Sequence, residues 1–321
     1  MLTGLTLSNI AVLLVLGIAL DFAFGEVRRW HPLIGFGNWA NAIERRLNRG
    51  AARRSRLSLR GLLAWVLAVL PLVAVSAWAG GALGLAAHGL MLYFCLGLRS
   101  LREHNLPIAQ ALELGDLARA RLLTARIVSR DTQHADAADL AKASAESLLE
   151  NGNDAVFGTL FWFALAGGPG AVLFRLANTL DAMWGYRNAR FVWFGCAAAR
   201  IDDALNFIPA RLTALSYVLL ATTLNDKRRA WHCWRTQARA WSSPNGGPVM
   251  ASGAGALGVA LGGAATYDGV IEQRPPLGIG RSAGGADIAR AWRLVADSTF
   301  LWLACFILAA AILYFFRSAH A

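Results

Sequence analysis

Residues 156–180 read VFGTLFWFALAGGPGAVLFRLANTL. A helix that crosses a membrane needs roughly 20 mostly apolar residues, and this run is long enough. Its centre, Gly167-Gly168-Pro169-Gly170, is not. Proline lacks the N–H that an interior helical turn donates, and glycine loses the most backbone entropy on being fixed. A broken segment is therefore expected. Irregular backbone at membrane depth is tolerated only inside protein or beside a watery cavity. The reading that follows is an all-α, polytopic integral membrane protein, with re-entrant or broken helices around a cytoplasm-facing cavity.

The flanking sequence supports it. Residues 7–24, 57–79, 82–98 and 298–316 are each apolar enough to span, and Gly80-Gly81 is expected to turn the second into the third. Between the first two lie Arg28, Arg29, Arg45, Arg46, Arg49, Arg53, Arg54 and Arg56, opposed only by Glu26 and Glu44. The positive-inside rule places this loop in the cytoplasm and the N-terminus outside. A second interrupted run, residues 205–224, carries Pro209 and Arg211. If either interrupted run crossed fully, residues 181–203 or Lys227-Arg228-Arg229 would lie outside, against the charge rule. Both are expected to return to the cytoplasmic side. The chain divides into membrane helices with a basic loop (1–98), cytoplasmic helices (99–154), a membrane-embedded core (155–263), and a linker with a last membrane helix (264–321).

Composition agrees. The 321 residues are 56% hydrophobic and 16% charged, where soluble domains carry about 25% charged residues. The net charge of +11 comes almost wholly from arginine. Cytoplasmic loops of membrane proteins account for such basicity, so no nucleic-acid partner is expected. The four cysteines form no CxxC pair and the six histidines no HExxH, so neither a disulfide framework nor a zinc site is implied. The first apolar run lacks a basic n-region and a small-x-small cleavage site, so it reads as a retained helix.

Charged residues cluster at the ends of apolar runs in four places. Arg130-Asp131-Thr132 precedes Lys142, Glu146, Glu150 and Asp154, spaced every four residues. On a helix these share one face. An acidic stripe beside a membrane segment suits Mg2+ held by carboxylates and substrate phosphates, or it is a solvated helix face. Asp181, Arg187 and Asn188 surround a glycine turn flanked by Trp184 and Trp193, read as an aromatic belt or as a wall for a planar ligand. ARIDDALNFIPARLT, residues 199–213, pairs Asp202 and Asp203 with Arg200 and Arg211. An ion-pair cap and a site are equally good readings of it. Asp21, Glu26, Trp30 and His31-Pro32 end the first span. The Gly- and Ala-rich run 242–263 includes Asn245 but neither common nucleotide-loop pattern, so spacing favours close helix packing over a loop whose backbone approaches a phosphate or a large flat ligand. Arginine binds phosphate bidentately, and together these clusters point to a phosphorylated substrate or a nucleotide. A transporter with carboxylates as an ion relay, and a non-catalytic scaffold, remain open on the residues alone.

Six stretches in order resemble the adenosylcobinamide-phosphate synthase family (CbiB/CobD). They are HPLIG (31–35), SRDT (129–132), ESLLENGNDAVFGTLFW (146–162), NTLDAMWGYRN (178–188), FGCAAARIDDALNFIPARLTAL (194–215) and PNGGPVMASGAGALGVALGG (244–263). The resemblance implies an inner-membrane enzyme of cobalamin biosynthesis that faces the cytoplasm. It would join adenosylcobyric acid to (R)-1-aminopropan-2-ol or its phosphate by an ATP-dependent amide bond, alongside other late membrane enzymes of the pathway. Carried onto this chain, Asp202, Asp203 and Glu146 are expected to be catalytic. Arg130, Asp131, Arg187, Asn188, Arg200, Arg211 and Asn245 would bind substrate or phosphate. Glu146, Glu150, Asp154 and Asp181 would hold Mg2+.

Overall fold

A computed structural model describes residues 4–27, 31–49 and 53–319. Arg28, Arg29 and Trp30, named above, lie outside them. The helices are α1 (Leu7–Phe24), α2 (Pro32–Leu47), α3 (Arg54–Leu83), α4 (Leu85–Cys95), α5 (Leu98–Glu113), α6 (Leu117–Thr124), α7 (Ala137–Gly152), α8 (Gly158–Trp184), α9 (Cys196–Leu220), α10 (Leu224–Gln237), α11 (Gly246–Leu257) and α12 (Gly285–Ala319). A π-helical turn, Asn153–Phe157, joins α7 to α8. Strands β1 (Val259–Tyr267), β2 (Val270–Leu277) and β3 (Arg281–Ser282) form a small sheet. The chain makes two compact units: Met1–Gly97, Gly158–Asn206 and Leu303–Ala321 in one, Leu98–Phe157 and Phe207–Trp302 in the other.

Among the described residues, four helical stretches are long and apolar enough to cross a membrane: Leu7–Phe24, Arg54–Leu83, Ala137–Trp184 and Gly285–Phe316. The protein is therefore a membrane protein. The expected turn at Gly80-Gly81 is displaced. Helix α3 runs through both glycines, and the chain turns at Gly84, whose φ of 60° lies in the left-handed region. Helix α4 has only 11 residues, too short to span, so residues 82–98 do not form the third crossing.

The GGPG interruption acts as its chemistry predicts. Ala166 (φ −133°, ψ 19°) and Gly167 (φ 59°, ψ −154°) leave helical geometry inside α8. A straight helix would separate Gly158 from Phe174 by about 24 Å, at 1.5 Å per residue. Yet a Cβ on Gly158 would sit 2.0 Å from the Phe174 ring. The two legs of α8 thus fold back on one another, and Gly158 gives the ring its space. The backbone N–H of Gly168, freed by the break, donates to Nδ1 of His88 on α4 at 2.9 Å. That contact requires the neutral imidazole with its proton on Nε2. Around this hairpin, Phe36, Ala40, Ala64, Trp65, Ala68, Leu180, Trp184 and Phe194 make the core of the first unit.

Helix α2 opens at His31, whose Nδ1 accepts from the N–H of Leu33, with Pro32 at the first helical position. It is anchored near its other end by Glu44. This buried carboxylate takes both arms of the Arg190 guanidinium, at 3.1 and 2.7 Å, and the Asn48 amide at 2.7 Å. Burial pushes its carboxyl upward, but the bonds from Arg190 and Asn48 prevail and hold it below the usual range.

In the second unit, helix α11 is buried along its whole length. Glycine makes this possible: a Cβ on Gly255 would lie 2.6 Å from the Ala230 Cα of α10, and one on Gly253 would lie 2.5 Å from the Leu149 side chain of α7. The Gly-rich run is thus packing up to Leu257, and beyond it becomes strand. That sheet is absent from the all-α expectation. β1 and β2 pair antiparallel through a two-residue turn of Asp268 (φ 49°) and Gly269 (φ 77°), with a bulge at Gly262/Gly263. Helix α5 runs through Pro107, and Gly115-Asp116 separates α5 from α6.

Gly255→Val should cost about 1–3 kcal/mol by overpacking, read as a lower unfolding temperature in detergent. Gly35→Ala, with nothing within 4 Å of its added methyl, should be neutral or slightly stabilising. The Glu44 carboxyl is depressed in the folded protein. Its contribution is complete above the ordinary Glu pKa, ~4.3, and disappears as pH falls through the lower folded value. Glu44→Gln should therefore be less stable than the parent at pH 7, and the difference should close on acidification below about pH 4. Thermal melts across pH measure both.

Candidate functional site

The second unit holds a buried carboxylate around which the candidate site is built. Glu146 sits on the inner face of α7 and is 2% exposed. Oε2 accepts from Nη2 of Arg130, and from Nη1 of Arg274 at 2.8 Å. Oε1 accepts from the backbone N–H of Gly262 at 2.7 Å and from Nη2 of Arg274 at 3.2 Å. Each partner has a local cause. Arg130 lies midway along the loop between α6 and α7. Arg274 lies on β2, where its guanidinium also reaches the Gly262 and Gly263 carbonyls and rests 5.4 Å from the Trp241 ring centroid. The Gly262 N–H is aimed inward by the β1 bulge.

A carboxylate offers about four lone-pair sites, and here all four are taken. In this arrangement Glu146 holds two guanidiniums in place. Among the described residues, no group of three His, Cys, Asp or Glu side chains is disposed to hold a metal ion. Asp181 belongs to the other unit from Glu146, Glu150 and Asp154.

Two cavities open beside the cluster. One, about 210 Å³, is lined by Ser129, Arg130, Glu146, Glu150, Trp241 and Arg274 among others. The other, about 680 Å³, is lined by Arg130, Asp131, His134, Asp139, Lys142 and the β1–β2 turn. Arg130 borders both. Asp131 ties its loop to that turn: its N–H donates to the Thr266 carbonyl at 2.8 Å, and its carboxylate accepts from the Gly269 N–H at 2.7 Å. Lys142 bonds Asp139 at 3.0 Å. Asp154, on the π turn, accepts from the Asn153 amide at 3.0 Å.

Arg211 and Asn245 meet in the same unit. Helix α9 passes through Pro209 without ending. The Arg211 guanidinium stacks 3.8 Å from the Phe207 ring centroid, bonds the Asn245 side chain, and reaches the Pro244 carbonyl at 3.0 Å.

The remaining expected residues belong to the first unit. Asp202 is buried and accepts from the amides of Asn178 at 3.4 Å and Asn206 at 3.1 Å. Asp203 is half-buried and Arg200 exposed. Asn188 is a turn residue: its side-chain oxygen accepts from the N–H of Arg190 at 3.1 Å and of Phe191 at 3.0 Å. Arg187 beside it is exposed, and the Asp181 carbonyl accepts from Gly185 at 2.7 Å. Sequence reasoning missed Arg274, set in a segment taken for linker, and Arg175, whose Nε is buried without a hydrogen-bond partner. Arg175 was visible as a cation inside an apolar run, which is a functional signal by default.

A family model described as CobD/Cbib protein matches residues 14–295. "Cobalamin biosynthesis protein CobD" of Stutzerimonas stutzeri is 56% identical over 289 residues, 89% of this chain and 93% of that protein. The protein of the same name from Chromobacterium violaceum is 52% identical, over 95% of this chain and 98% of its own length. That from Mycobacterium tuberculosis is 37% identical, over 88% and 90%. No solved structure matches the chain. Matched over nearly its whole length by the family and its relatives, the chain belongs to the CobD/CbiB family.

Proposed function

We propose that the protein is an adenosylcobinamide-phosphate synthase of cobalamin biosynthesis, set in the inner membrane with its chemistry on the cytoplasmic side. It joins a propionate of adenosylcobyric acid to (R)-1-aminopropan-2-ol or its phosphate, at the expense of ATP. The observation that carries the reading is the paired placement of Arg130 and Arg274 on Glu146, at the border of two cavities. It supplies fixed cationic donors where a phosphate needs them.

Amide formation requires an activated acyl group and a neutral amine. A propionate oxygen attacks the γ-phosphorus of ATP, the bond to ADP breaks, and an acyl phosphate forms. The amine then attacks the acyl carbon, the C–N bond forms, and orthophosphate leaves as the C–O bond breaks. The proton lost from nitrogen passes to a carboxylate. Asp203, half-buried on α9, is proposed for that task. Arg130 is proposed to bind the phosphate of the aminoalcohol or the transferred phosphoryl group, with Asp131 fixing its loop. Arg187 and Arg200 are proposed as further phosphate contacts. Mg2+ is proposed to arrive on the ATP phosphates and to be held by Glu150 of the small cavity's wall. One carboxylate with phosphates is a usual magnesium set.

Detergent-solubilised protein given adenosylcobyric acid, aminopropanol phosphate and MgATP should yield the amide by mass spectrometry, with one ADP per product. Gradient-driven uptake without product would favour a transporter instead. Arg130→Ala should lower kcat/KM about 10²-fold, the usual loss of one fixed donor. Glu146→Gln should lose about 3 kcal/mol of stability, because the buried carboxylate's charge is lost to two half-buried guanidiniums. Asp203→Ala with unchanged turnover would remove that residue from the mechanism.

A further inference from the structure

Residues 171–177, on the second leg of α8, read AVLFRLA, with Arg175 the one polar member. Its Nε is buried and has no hydrogen-bond partner. No carboxylate among the described residues forms an ion pair with it. Buried polar groups in folded proteins are nearly always hydrogen-bonded, and one that is not calls for an explanation. We infer that Arg175 receives the carboxylate of the corrinoid acid, the group on which the amide is built. The identity of the acid rests on the ligase reading above; the anion chemistry rests on the unmet guanidinium.

The fold fixes where Arg175 stands. Phe174 fills the gap at Gly158, and Leu176, Ala177 and Leu180 enter the core, so this leg of α8 cannot rotate freely. One turn on, the Asn178 amide donates to Asp202 of α9 at 3.4 Å. Residues three apart share a helix face. A carboxylate on Arg175 is thus held toward the helix that carries Asp203, the proposed proton acceptor.

Its depth is set as well. The charge of Arg175 acts on His31, the N-cap of α2, and on Cys95, the last residue of α4. His88, seven residues before Cys95, meets the GGPG tip at Gly168, so Arg175 lies level with the end of α4, about 10 Å from that tip along the helix. Both neighbours are buried, so the guanidinium faces protein and not lipid tails. Neither supplies a negative charge. Burial holds the His31 imidazole below its usual range, with Glu26 opposing and Arg175 adding to the effect, and burial raises the Cys95 thiol despite Arg175.

Charge and shape match the ligand. Guanidinium and carboxylate pair through two parallel hydrogen bonds, one charge against one. Arg175 is half-buried as a whole, so the fork beyond the sealed Nε is its open end. The phosphates of the reaction have a different pair of guanidiniums, Arg130 and Arg274 on Glu146. A polar group buried without a partner weakens a fold, so Arg175 is kept at a cost to stability, as residues that serve a ligand are.

Adenosylcobyric acid and adenosylcobinamide differ at this group, a carboxylate in one and a neutral amide in the other. Equilibrium dialysis of the purified full chain in detergent, without ATP, reads each through the visible absorption of the corrin. The parent should bind the acid more tightly than the amide. R175M should weaken the acid at least tenfold, leave the amide within twofold, and unfold at the parent's temperature or above it. R175K should recover only part of the loss, because an ammonium lacks the fork. Acid binding by R175M equal to the parent overturns the inference, and so does an equal loss of acid and amide. If R175M does not fold, R175K binding the acid as tightly as the parent overturns it. Selective loss of the acid supports it even where MgATP yields no amide. An unchanged KM for the acid in R175M overturns it and leaves the ligase reading intact. Weakened binding of radiolabelled MgATP with the acid unaffected assigns Arg175 to phosphate and overturns the carboxylate. A lipid headgroup offers a similar anion. If phosphatidylglycerol in phosphatidylcholine nanodiscs abolishes acid binding by the parent, Arg175 is a lipid site and the assignment is overturned.

Discussion

Glu146 is the group on which the second unit closes. A carboxylate removed from water carries a desolvation penalty of several kcal/mol unless its lone pairs are met. Here they are met from three separate parts of the chain: the loop before α7, the bulge of β1 and the face of β2. The sheet has little core of its own, since most of β2 is exposed or half-buried. Its register against α7 is set instead by where Gly262 and Arg274 must be to reach Glu146. A one-residue slip would turn Arg274 to the other face of the strand and leave the carboxylate short of two donors.

The first unit solves a different problem with similar economy. An apolar run broken by Gly and Pro exposes backbone N–H groups that hydrocarbon cannot satisfy. The fold covers the break with His88, on a helix too short to span, and lets the two legs of α8 touch at Gly158 and Phe174. In the second unit Gly253 and Gly255 let α11 press against α7 and α10. In both, the glycines mark close contact between helices, and the polar group nearest each backbone break is a specific side chain.

How much of this could be read from sequence depends on the range of the cause. The spans at residues 7–24 and 298–316 and the break at 167–170 are local consequences of apolar length and backbone chemistry, and they were legible. So was the density of charged residues around 130–154 and 199–213. The turn at Gly84 was not, because Gly80-Gly81 is a better turn by composition, yet both glycines sit within α3, where a Cβ on Gly80 would crowd His88 at 3.0 Å. The hairpin at Asp268-Gly269 carried a recognisable turn signal, but two prolines in the next strand made 264–297 look like linker. The role of Glu146 was hidden for a stronger reason. The every-fourth spacing of Glu146, Glu150 and Asp154 shows only what shares a helix face. What meets that face comes from Arg274, 128 residues on, and no local pattern announces it.

That partner changes what the acidic stripe means. Two guanidiniums against one carboxylate leave a surplus positive charge in a cavity of about 210 Å³, with Glu150 on the same wall. A phosphate entering there is drawn by the guanidiniums and repelled by Glu150 if that carboxylate is ionised. A divalent cation between phosphate and Glu150 removes the conflict, because it bonds both and needs only one protein carboxylate. The stripe therefore divides its labour along one face. Glu146 orients two arginines, and the carboxylate one turn later is the one proposed to meet a phosphate-bound cation.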